Sequence, residues 1–444
     1  MPGVPPVPRA ARDRPAGGPL AYLVAAVAGC LVGLVGGSFR WCLARAEVLR
    51  ASLLDTSERL PGPGWLLPVA LTATGAAVAC AIARWVPLAA GSGIQDVEAV
   101  WRAEREPQPL RLLPAKFVGG VIALGSGLVL GREGPTVHMG AAIGAEAGRR
   151  VRMHADDIRL LHTSLAGAGL AVAFTAPLGG VLFVCEEVTR AVRARLVLLT
   201  LIGVATAVSC SRLIVGDRPV FDVPHTAAPP LVLLPVFVVF GAATGVLGAG
   251  YNHLVVGALA WGDHLTRVDP VVRAALIGAV VGLLLAVDPL LVGSGETLSE
   301  RLLAGGALTA TVLAGCLVVR FLTGPLSYAA GTPGGLFAPM LTLGALWGAL
   351  VHAVALPLLP GWGSGPAPAS GSGTAAFAVV GMAALFAACV RAPVTGIVLA
   401  VEMTGATTLL LALFTACFAA TLTADWMRSE PVYDSLRARM LGRP

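Results

Sequence analysis

Long apolar runs constrain the fold of this sequence more than any other feature. A helix needs roughly 20 apolar residues to cross the hydrocarbon core of a bilayer, and the chain of 444 residues is 56% hydrophobic and only 13% charged. These proportions predict a multi-pass integral membrane protein, with room for about ten or more passes and almost none for a soluble domain. The apolar runs lie at 21–39, 66–83, 195–207, 231–250, 272–292 and 406–423.

The first residues and the net charge bear on orientation and partners. Residues 1–19 are rich in Pro and Arg and lack the apolar core of a signal peptide, so they predict a cytoplasmic N-terminal tail. The net charge of +6 fits loops that face anionic lipid as well as it fits an anionic solute. We therefore expect membrane lipid as a partner and no nucleic acid, and the charge alone does not select a solute.

Three blocks of sequence recur in the same order, which indicates an internal duplication. PLAAGSGIQDVE at 87–98 returns as PLLVGSGETLSE at 289–300. The offset between copies grows along the chain, as expected if the Gly-, Ser- and Pro-rich stretch 361–374 is an insertion. The duplication predicts two membrane halves, at 20–220 and 221–428. The second block aligns Lys116, Phe117, Gly120, Gly127, Gly131, Pro135, Gly140 and Gly144 with Arg320, Phe321, Gly324, Gly331, Gly335, Pro339, Gly344 and Gly348, and the third aligns Ala176, Pro177, Gly180 and Glu186 with Ala392, Pro393, Gly396 and Glu402.

The repeated motifs interrupt the apolar runs with Gly and Pro. Duplicated membrane halves with broken helices are typical of secondary transporters, in which the broken helices meet near the bilayer midplane. Irregular backbone at that depth is tolerated only where it is buried in protein or lines a cavity. The sequence therefore predicts an all-α polytopic membrane protein whose GSG, GREGP and GTPGGLFAP segments line a pathway.

The GREGP turn (131–135) and the GGLFAP turn (334–339) are copies of one motif, a Gly-rich turn that runs into a helix. Such a turn offers free backbone N–H groups and the positive end of a helix dipole, which bind an anion without a full positive charge. We expect the two helix starts to converge on one anion, held weakly enough to leave again. Lys116 and Arg132 are candidates for attracting it from a distance.

Glu133 lies inside this predicted anion site, although its carboxylate is itself an anion. When ionised it can occupy the site and exclude the solute, and when protonated it loses that attraction and can swing away. This placement would link proton and anion in one switch, as expected of an ionisable residue inside a membrane. The alternative is that Glu133 forms a structural ion pair with Arg132.

A second acidic pair, Glu186 and Glu187, ends an apolar run and precedes a basic stretch. One interpretation is a solvated helix end with salt bridges. The other is a proton acceptor near the cytoplasmic face. Because Glu186 has a repeat partner in Glu402, those two residues are expected to share a packing role, and Glu187 is the distinctive one.

An intramembrane enzyme is the main alternative from another class. HADDIRLLH at 154–162 contains two histidines and two aspartates, but it lacks the helical spacing of a metalloprotease and lies in an Arg-rich patch. A solvated loop explains the segment better. The eight cysteines occur singly, without zinc or disulfide spacing, and are expected to be small buried side chains. We therefore expect no enzyme activity, no metal and no cofactor.

Four motifs together resemble the CLC family of chloride channels and chloride/proton antiporters. GSGIQ, GREGPTVHMG, GTPGGLFAP and EPVYDSL occur here in that family's order, and the similarity extends from about residue 20 to the end. The resemblance implies a homodimer whose subunits each have an anion pathway. It also implies a fold of many tilted, broken helices in two inverted halves, and a bacterial cell-membrane location.

The resemblance assigns neutral donors to a central chloride. Ser92 of GSGIQ would give its hydroxyl and Tyr433 of EPVYDSL its phenol, while Leu336 and Phe337 of GGLFAP would give backbone N–H groups. Neutral donors suit weak, reversible binding.

The resemblance also assigns the proton pathway. Glu133 would be the external gating glutamate, with Arg132 and Gly134 flanking the outer anion site, and Glu187 would be the internal proton acceptor. Family channels usually lack an acid at the last position, so the sequence favours an antiporter that exchanges chloride for protons. A passive voltage- or pH-gated chloride channel is the alternative.

Two departures from the family pattern matter. Gln95 replaces the proline that commonly follows GSGI, which is expected to loosen the turn that carries Ser92. The C-terminal segment 429–444 contains Tyr433 and no paired nucleotide-binding modules (CBS domains), so regulation by ATP is not expected. Nitrate-preferring relatives tend to carry proline where Ser92 stands, so chloride is the favoured anion.

Overall fold

The computed structural model describes residues 18–59, 62–217, 220–221, 223, 228–265, 267–306, 308–354 and 372–442. The regular structure of these residues is helical, in agreement with the predicted all-α class. The predicted N-terminal tail lies almost wholly outside the described residues, as does most of the proposed insertion at 361–374. The first helix begins at Gly18, inside the last two residues of that tail.

The helices form two sets of eight, followed by one short helix. The first set comprises α1 (Gly18–Arg59), α2 (Leu66–Trp85), α3 (Ile94–Trp101), α4 (Leu112–Gly125), α5 (Glu133–Arg150), α6 (Ala155–Phe174), α7 (Pro177–Phe183) and α8 (Ala194–Val215). The second set comprises α9 (Leu234–His264), α10 (Pro270–Val287), α11 (Glu296–Leu303), α12 (Ala310–Ala329), α13 (Phe337–Val354), α14 (Ser372–Val390), α15 (Pro393–Thr404) and α16 (Leu410–Trp426), and α17 (Val432–Met440) ends the described chain.

Nine of the described helices are long and apolar enough to cross a membrane, which confirms the multi-pass prediction. They are α1, α2, α8, α9, α10, α12, α13, α14 and α16. Two further apolar helices, α4 and α15, are shorter than this length. The predicted total of about ten or more passes is therefore reached only when shorter helices are counted.

Repeat-related residues contact one another reciprocally. Gly131 and Gly335 are aligned by the sequence repeat, and each donates its N–H to the other's carbonyl at 2.7 and 2.8 Å, in an antiparallel bridge. A contact in which equivalent residues exchange the same bond is typical of a two-fold axis. The two halves therefore meet at the Gly-rich turns that precede α5 and α13.

Glu186 and Glu402 repeat this reciprocity. The Glu186 carboxylate accepts from the backbone N–H of Val394 and Thr395 at the start of α15, at 3.1 and 2.6 Å. The Glu402 carboxylate accepts from the N–H of Leu178 and Gly179 at the start of α7, at 2.9 and 2.7 Å. Each acid thus caps a short helix of the other half, where the helix dipole favours a negative charge.

Lys116 has a role different from the expected long-range attraction. It is fully buried, and its Nζ donates to the carbonyl oxygens of Ala89 and Gly91 at 3.1 and 2.7 Å, which fixes the loop before Ser92. Its repeat partner Arg320 holds the equivalent loop, with Nε donating to Leu290 O at 2.8 Å. Both cations therefore donate to loop carbonyl oxygens that have no hydrogen-bond partner within a helix.

The expectation of a solvated loop at 154–162 is wrong. The helix α6 begins at Ala155, because His154 caps it and two aspartates occupy its first turn, where the dipole favours acids. Asp157 pairs with Arg195 at 2.7 Å. His162 is fully buried and contacts Gln108.

Candidate functional site

The three turns predicted to line a pathway lie together. Gly91, in the GSG loop, donates its N–H to Thr332 O at 3.0 Å and accepts from the N–H of Gly334 at 3.1 Å. The bridge between Gly131 and Gly335 adds the GREGP turn to the same cluster. The starts of α5 and α13 are therefore neighbours, and both lie next to the loop that carries Ser92.

Two buried hydroxyls face each other beside these turns. Ser92 and Tyr433 are both fully buried, and their hydroxyl oxygens lie side by side. Neither oxygen has a hydrogen-bond partner within the part of the chain that the structure describes. Buried hydroxyls are normally paired, so this pair of free O–H donors is suited to a bound anion.

The packing around Ser92 explains why Gly134 follows Glu133. A Cβ at position 134 would collide with Ser92 Oγ and would lie 2.9 Å from Ser92 Cα. The absence of a side chain at Gly134 therefore lets the start of α5 approach the Ser92 hydroxyl. The Ser92 N–H donates to the hydroxyl of Tyr328 at 3.3 Å, and Gln95 lies beside the same hydroxyl, so the family departure at Gln95 acts next to the Ser92 turn.

The start of α13 supplies backbone donors on the other side. Leu336 and Phe337 are fully buried, and α13 begins at Phe337. The first N–H groups of a helix have no partner inside it. The Phe337 ring stacks on the Tyr433 ring, with centroids 5.9 Å apart. The structure thus brings Ser92, Tyr433 and the helix start at Phe337 into one place.

The carboxylate of Glu133 lies at the helix start of the opposite half. Glu133 is 2% exposed, and its Oε2 accepts from the backbone N–H of Ala338 at 3.4 Å. The carboxylate therefore accepts a hydrogen bond from the N-terminus of α13, where the helix dipole favours an anion. Sequence reasoning did not identify the Ala338 N–H as a donor. The next residue, Pro339, was the available signal, because proline has no N–H group and is common in the first turn of a helix.

Arg132 pairs with Glu296 and not with Glu133. Its two terminal nitrogens donate to the two oxygens of Glu296, both at 2.9 Å, and its Nε donates to Ala173 O at 3.2 Å. The structural ion pair between Glu133 and Arg132 that the sequence left open is therefore replaced by a pair with an acid of the second half. Sequence reasoning missed Glu296, although GSGET is the visible copy of GSGIQ.

A cavity of about 410 Å³ adjoins this ion pair. We call it the Glu133 cavity, because its wall includes Glu133 and Ala338 but neither Ser92 nor Tyr433 among the described residues. Glu133 therefore lines the cavity, while the buried hydroxyls do not. The charged and polar side chains in its wall include Arg40, Glu47, Arg132, Ser294, Glu296 and Ser299.

Glu187 lies in a separate buried cluster. It is 1% exposed, in a π-helical turn that runs from Val184 to Val188, and its carboxyl group is close to that of Glu98, which is also 1% exposed. Two carboxylates in a low dielectric repel each other, which favours a proton between them. Sequence reasoning missed Glu98, although it lies only six residues after Ser92.

Arg437 connects this acid pair with the surface of the molecule. Its Nε lies 3.5 Å from Glu98 Oε2, and its terminal nitrogens contact Glu104 at 2.9 Å and Asp434 at 3.0 Å. Burial raises the pKa of Asp434, but the guanidiniums of Arg190 and Arg437 outweigh burial and hold it below its usual range. The network fixes α17, and with it Tyr433, against α3 and the turn that carries Glu187.

The described residues contain no group of three or more His, Cys, Asp or Glu side chains that could hold a metal ion. The eight cysteines are unpaired thiols, and five of them are buried.

These features are typical of a membrane transport protein: an internal repeat whose two broken-helix starts and two buried hydroxyls lie beside a buried carboxylate. The family model of the voltage-gated chloride channels matches residues 74–425. The chain belongs to this family, the CLC proteins, as its motifs predicted.

Named relatives agree with the family assignment. The chain is 38% identical over 427 residues to the "H(+)/Cl(-) exchange transporter ClcA" of Vibrio parahaemolyticus, covering 94% of this chain and 89% of the relative. It is 36% identical to the ClcA protein of Citrobacter koseri, with 96% and 90% covered. Among solved structures, "a slow cyanobacterial Cl-/H+ antiporter" superposes with a TM-score of 0.87 at 29% identity, over 95% of this chain and 98% of that one.

Proposed function

We propose that this protein exchanges chloride for protons across a bacterial cell membrane. The observation that carries the proposal is the Glu133 carboxylate held by the Ala338 N–H at the start of α13. It places a titratable acid on a donor that an anion would use. The relatives named as H(+)/Cl(-) exchange transporters support both substrates.

Competition for the helix start couples the two ions. Ionised Glu133 is itself the anion at the α13 N-terminus, and a chloride that reaches this point must displace it. A protonated Glu133 attracts the helix dipole less, so proton uptake makes the position available to chloride. Release of that proton returns the carboxylate to the N–H group and expels the chloride.

Chloride and protons use different residues on either side of Glu133. Ser92, Tyr433, Leu336 and Phe337 form the chloride position, where O–H and N–H donors hold the anion without a full positive charge. Protons reach Glu133 from the buried pair of Glu187 and Glu98. Arg132 and Gly134 flank the Glu133 end of the chloride route.

A passive chloride channel is the second candidate, since the same donors would conduct chloride without coupling. The buried carboxyl of Glu187 favours exchange, because a channel has no need for a proton acceptor beside a second buried acid. The proposed exchange requires no cofactor, no metal and no enzymatic step.

We also propose that the chain has two repeat halves, 20–220 and 221–428, and forms a homodimer in the lipid bilayer. The two sets of eight helices support the halves. The dimer is supported by the short helices α7 and α15, whose caps by Glu402 and Glu186 are partly exposed. Carboxylates facing lipid are costly, and a partner subunit would cover them.

The test of exchange uses purified protein in liposomes with a chloride gradient and no proton gradient. External chloride and pH are recorded together for wild type, for Glu133→Gln and for Glu300→Gln, an exposed acid on α11. Exchange predicts uphill proton movement in wild type and in Glu300→Gln, and chloride flux without proton movement in Glu133→Gln. Chloride flux without proton movement in all three proteins would make the protein a channel.

A further inference from the structure

The ion pair of Arg132 and Glu296 lines the Glu133 cavity. Both terminal nitrogens of the guanidinium are used by the two carboxylate oxygens, the paired geometry that Arg favours for carboxylates. The Arg132 side chain is 14% exposed and the Glu296 side chain 31%. The fork that would otherwise bind an anion in the cavity is therefore already occupied by an anion of the protein.

The sequence repeat shows that this pair is not needed to build the turns. The position equivalent to Arg132 in the GGLFAP turn is Leu336, and the position equivalent to Glu296 in the GSG loop is Ile94. Both equivalents are fully buried, and α3 and α13 begin at the same points of the motif as α11 and α5. The same backbone thus forms in the other half without either charge.

The remaining charges of the Glu133 cavity have other partners. Arg40 donates to Val172 O at 3.0 Å and to Thr175 Oγ1 at 2.7 Å. Glu47 lies 4.0 Å from Arg50. Both terminal nitrogens of Arg132, the residue next to Glu133, donate to Glu296.

We propose that Glu296 is a positioning residue that sets how tightly the protein binds chloride. Its carboxylate is an internal anion that competes with chloride for the Arg132 guanidinium. With Glu296 in place, Arg132 attracts chloride into the cavity but does not retain it. Without that carboxylate, the two terminal nitrogens bind chloride directly and slow its release. The inference rests on the proposed chloride transport and adds a residue that determines its affinity.

The variant Glu296→Gln removes the competing charge at nearly constant volume. We expect chloride binding, measured by titration calorimetry on the purified protein, to tighten by roughly three- to tenfold, the scale of a typical net hydrogen bond. Maximal chloride turnover in liposomes should fall, because release becomes slower. Glu296→Asp keeps the carboxylate and should remain close to wild type in both measurements.

Two further variants separate this role from a general charge effect. Glu47→Gln removes a carboxylate from the same cavity that makes no hydrogen bond to Arg132, so its chloride affinity should tighten less than that of Glu296→Gln. In the background of Arg132→Leu, which copies the other half, adding Glu296→Gln should change affinity little. Unchanged or weaker chloride binding in Glu296→Gln, or equal tightening in Glu47→Gln, would overturn the inference.

The same experiments distinguish this inference from the proposed function. If wild type moves no chloride, the proposed transport fails and the inference fails with it. If wild type exchanges chloride for protons but Glu296→Gln binds chloride as wild type does, the inference alone fails. If Glu296→Gln does not fold, Glu296→Asp against wild type decides: a loss of more than tenfold in affinity would contradict a role that needs only the carboxylate.

Discussion

The GREGP turn and the GGLFAP turn have the same backbone and opposite chemistry. In the first half the turn carries Arg132 and Glu133, and in the second half the equivalent residues are Leu336 and Phe337. Each turn leads into an 18-residue helix, and the two are joined by the reciprocal bonds of Gly131 and Gly335. The duplicated backbone supplies two helix starts, and side-chain differences give them different tasks.

This comparison shows how two equivalent helix starts come to differ. The charges at Arg132, Glu133 and Glu296 distinguish one end, while the aromatic ring of Phe337 and the hydroxyl of Tyr433 distinguish the other. The titratable acid comes from the first half, and its carboxylate accepts from the Ala338 N–H at the start of α13 in the second half.

The largest expected effect is on proton movement, and it distinguishes the neighbouring acids Glu187 and Glu186. Glu187→Gln should abolish proton movement, a loss of more than about tenfold, while chloride still flows, because it removes a buried proton acceptor. Glu186→Gln should keep the coupling and lower the melting temperature, because Glu186 caps α15. Proton and chloride fluxes are recorded in liposomes and unfolding by a thermal melt. Coupled transport at wild-type stoichiometry in Glu187→Gln would remove Glu187 from the proton pathway.

The next effect makes the two turns more alike. Gly134→Ala introduces the residue that the GGLFAP turn has at its equivalent position, Ala338, and its methyl group would collide with Ser92 Oγ. We expect chloride turnover to fall by about tenfold, since the hydroxyl must leave its position. The control Gly315→Ala lies on α12, where a Cβ meets no described atom within 4 Å, and should behave as wild type. Normal turnover in Gly134→Ala would show that Ser92 does not have to stay in place.

The smallest effect concerns the end that carries Tyr433. The pKa of Asp434 lies below its usual range, so its stabilising effect is complete above the unfolded pKa of about 3.9 and is lost as pH falls through the folded value. The melting temperature of Asp434→Asn should lie a few degrees below wild type at neutral pH, and the difference should shrink only below about pH 3.9. Arg439, which lies on α17 with Asp434, forms a more exposed pair with Asp263. Asp263→Asn breaks that pair and should change the melting temperature little. A difference between Asp434→Asn and wild type that fades already between pH 7 and 5 would contradict the lowered pKa.

Local patterns predicted the membrane class, the duplication and the helix starts, because apolar length and Gly-Pro turns are written within short segments. They did not predict the partner of Arg132, since Glu296 lies 164 residues away and is brought close only by the packing of the two halves. The buried role of Lys116 was missed for the same reason: the carbonyl oxygens it binds belong to a loop whose path the sequence does not specify. The roles of Ser92, Tyr433, Glu133 and Glu187 in transport stay predictions.

In the proposed exchange, chloride and the Glu133 carboxylate use the same backbone donor. The most direct measurement is a crystal structure of Glu133→Gln with bromide in place of chloride, in which anomalous scattering locates the anion. We expect a bromide at hydrogen-bond distance from the Ala338 N–H in Glu133→Gln, and the carboxylate at that position in wild type at high pH. A bromide beside Ser92 and Tyr433 in both proteins, with none at the Ala338 N–H in Glu133→Gln, would contradict it.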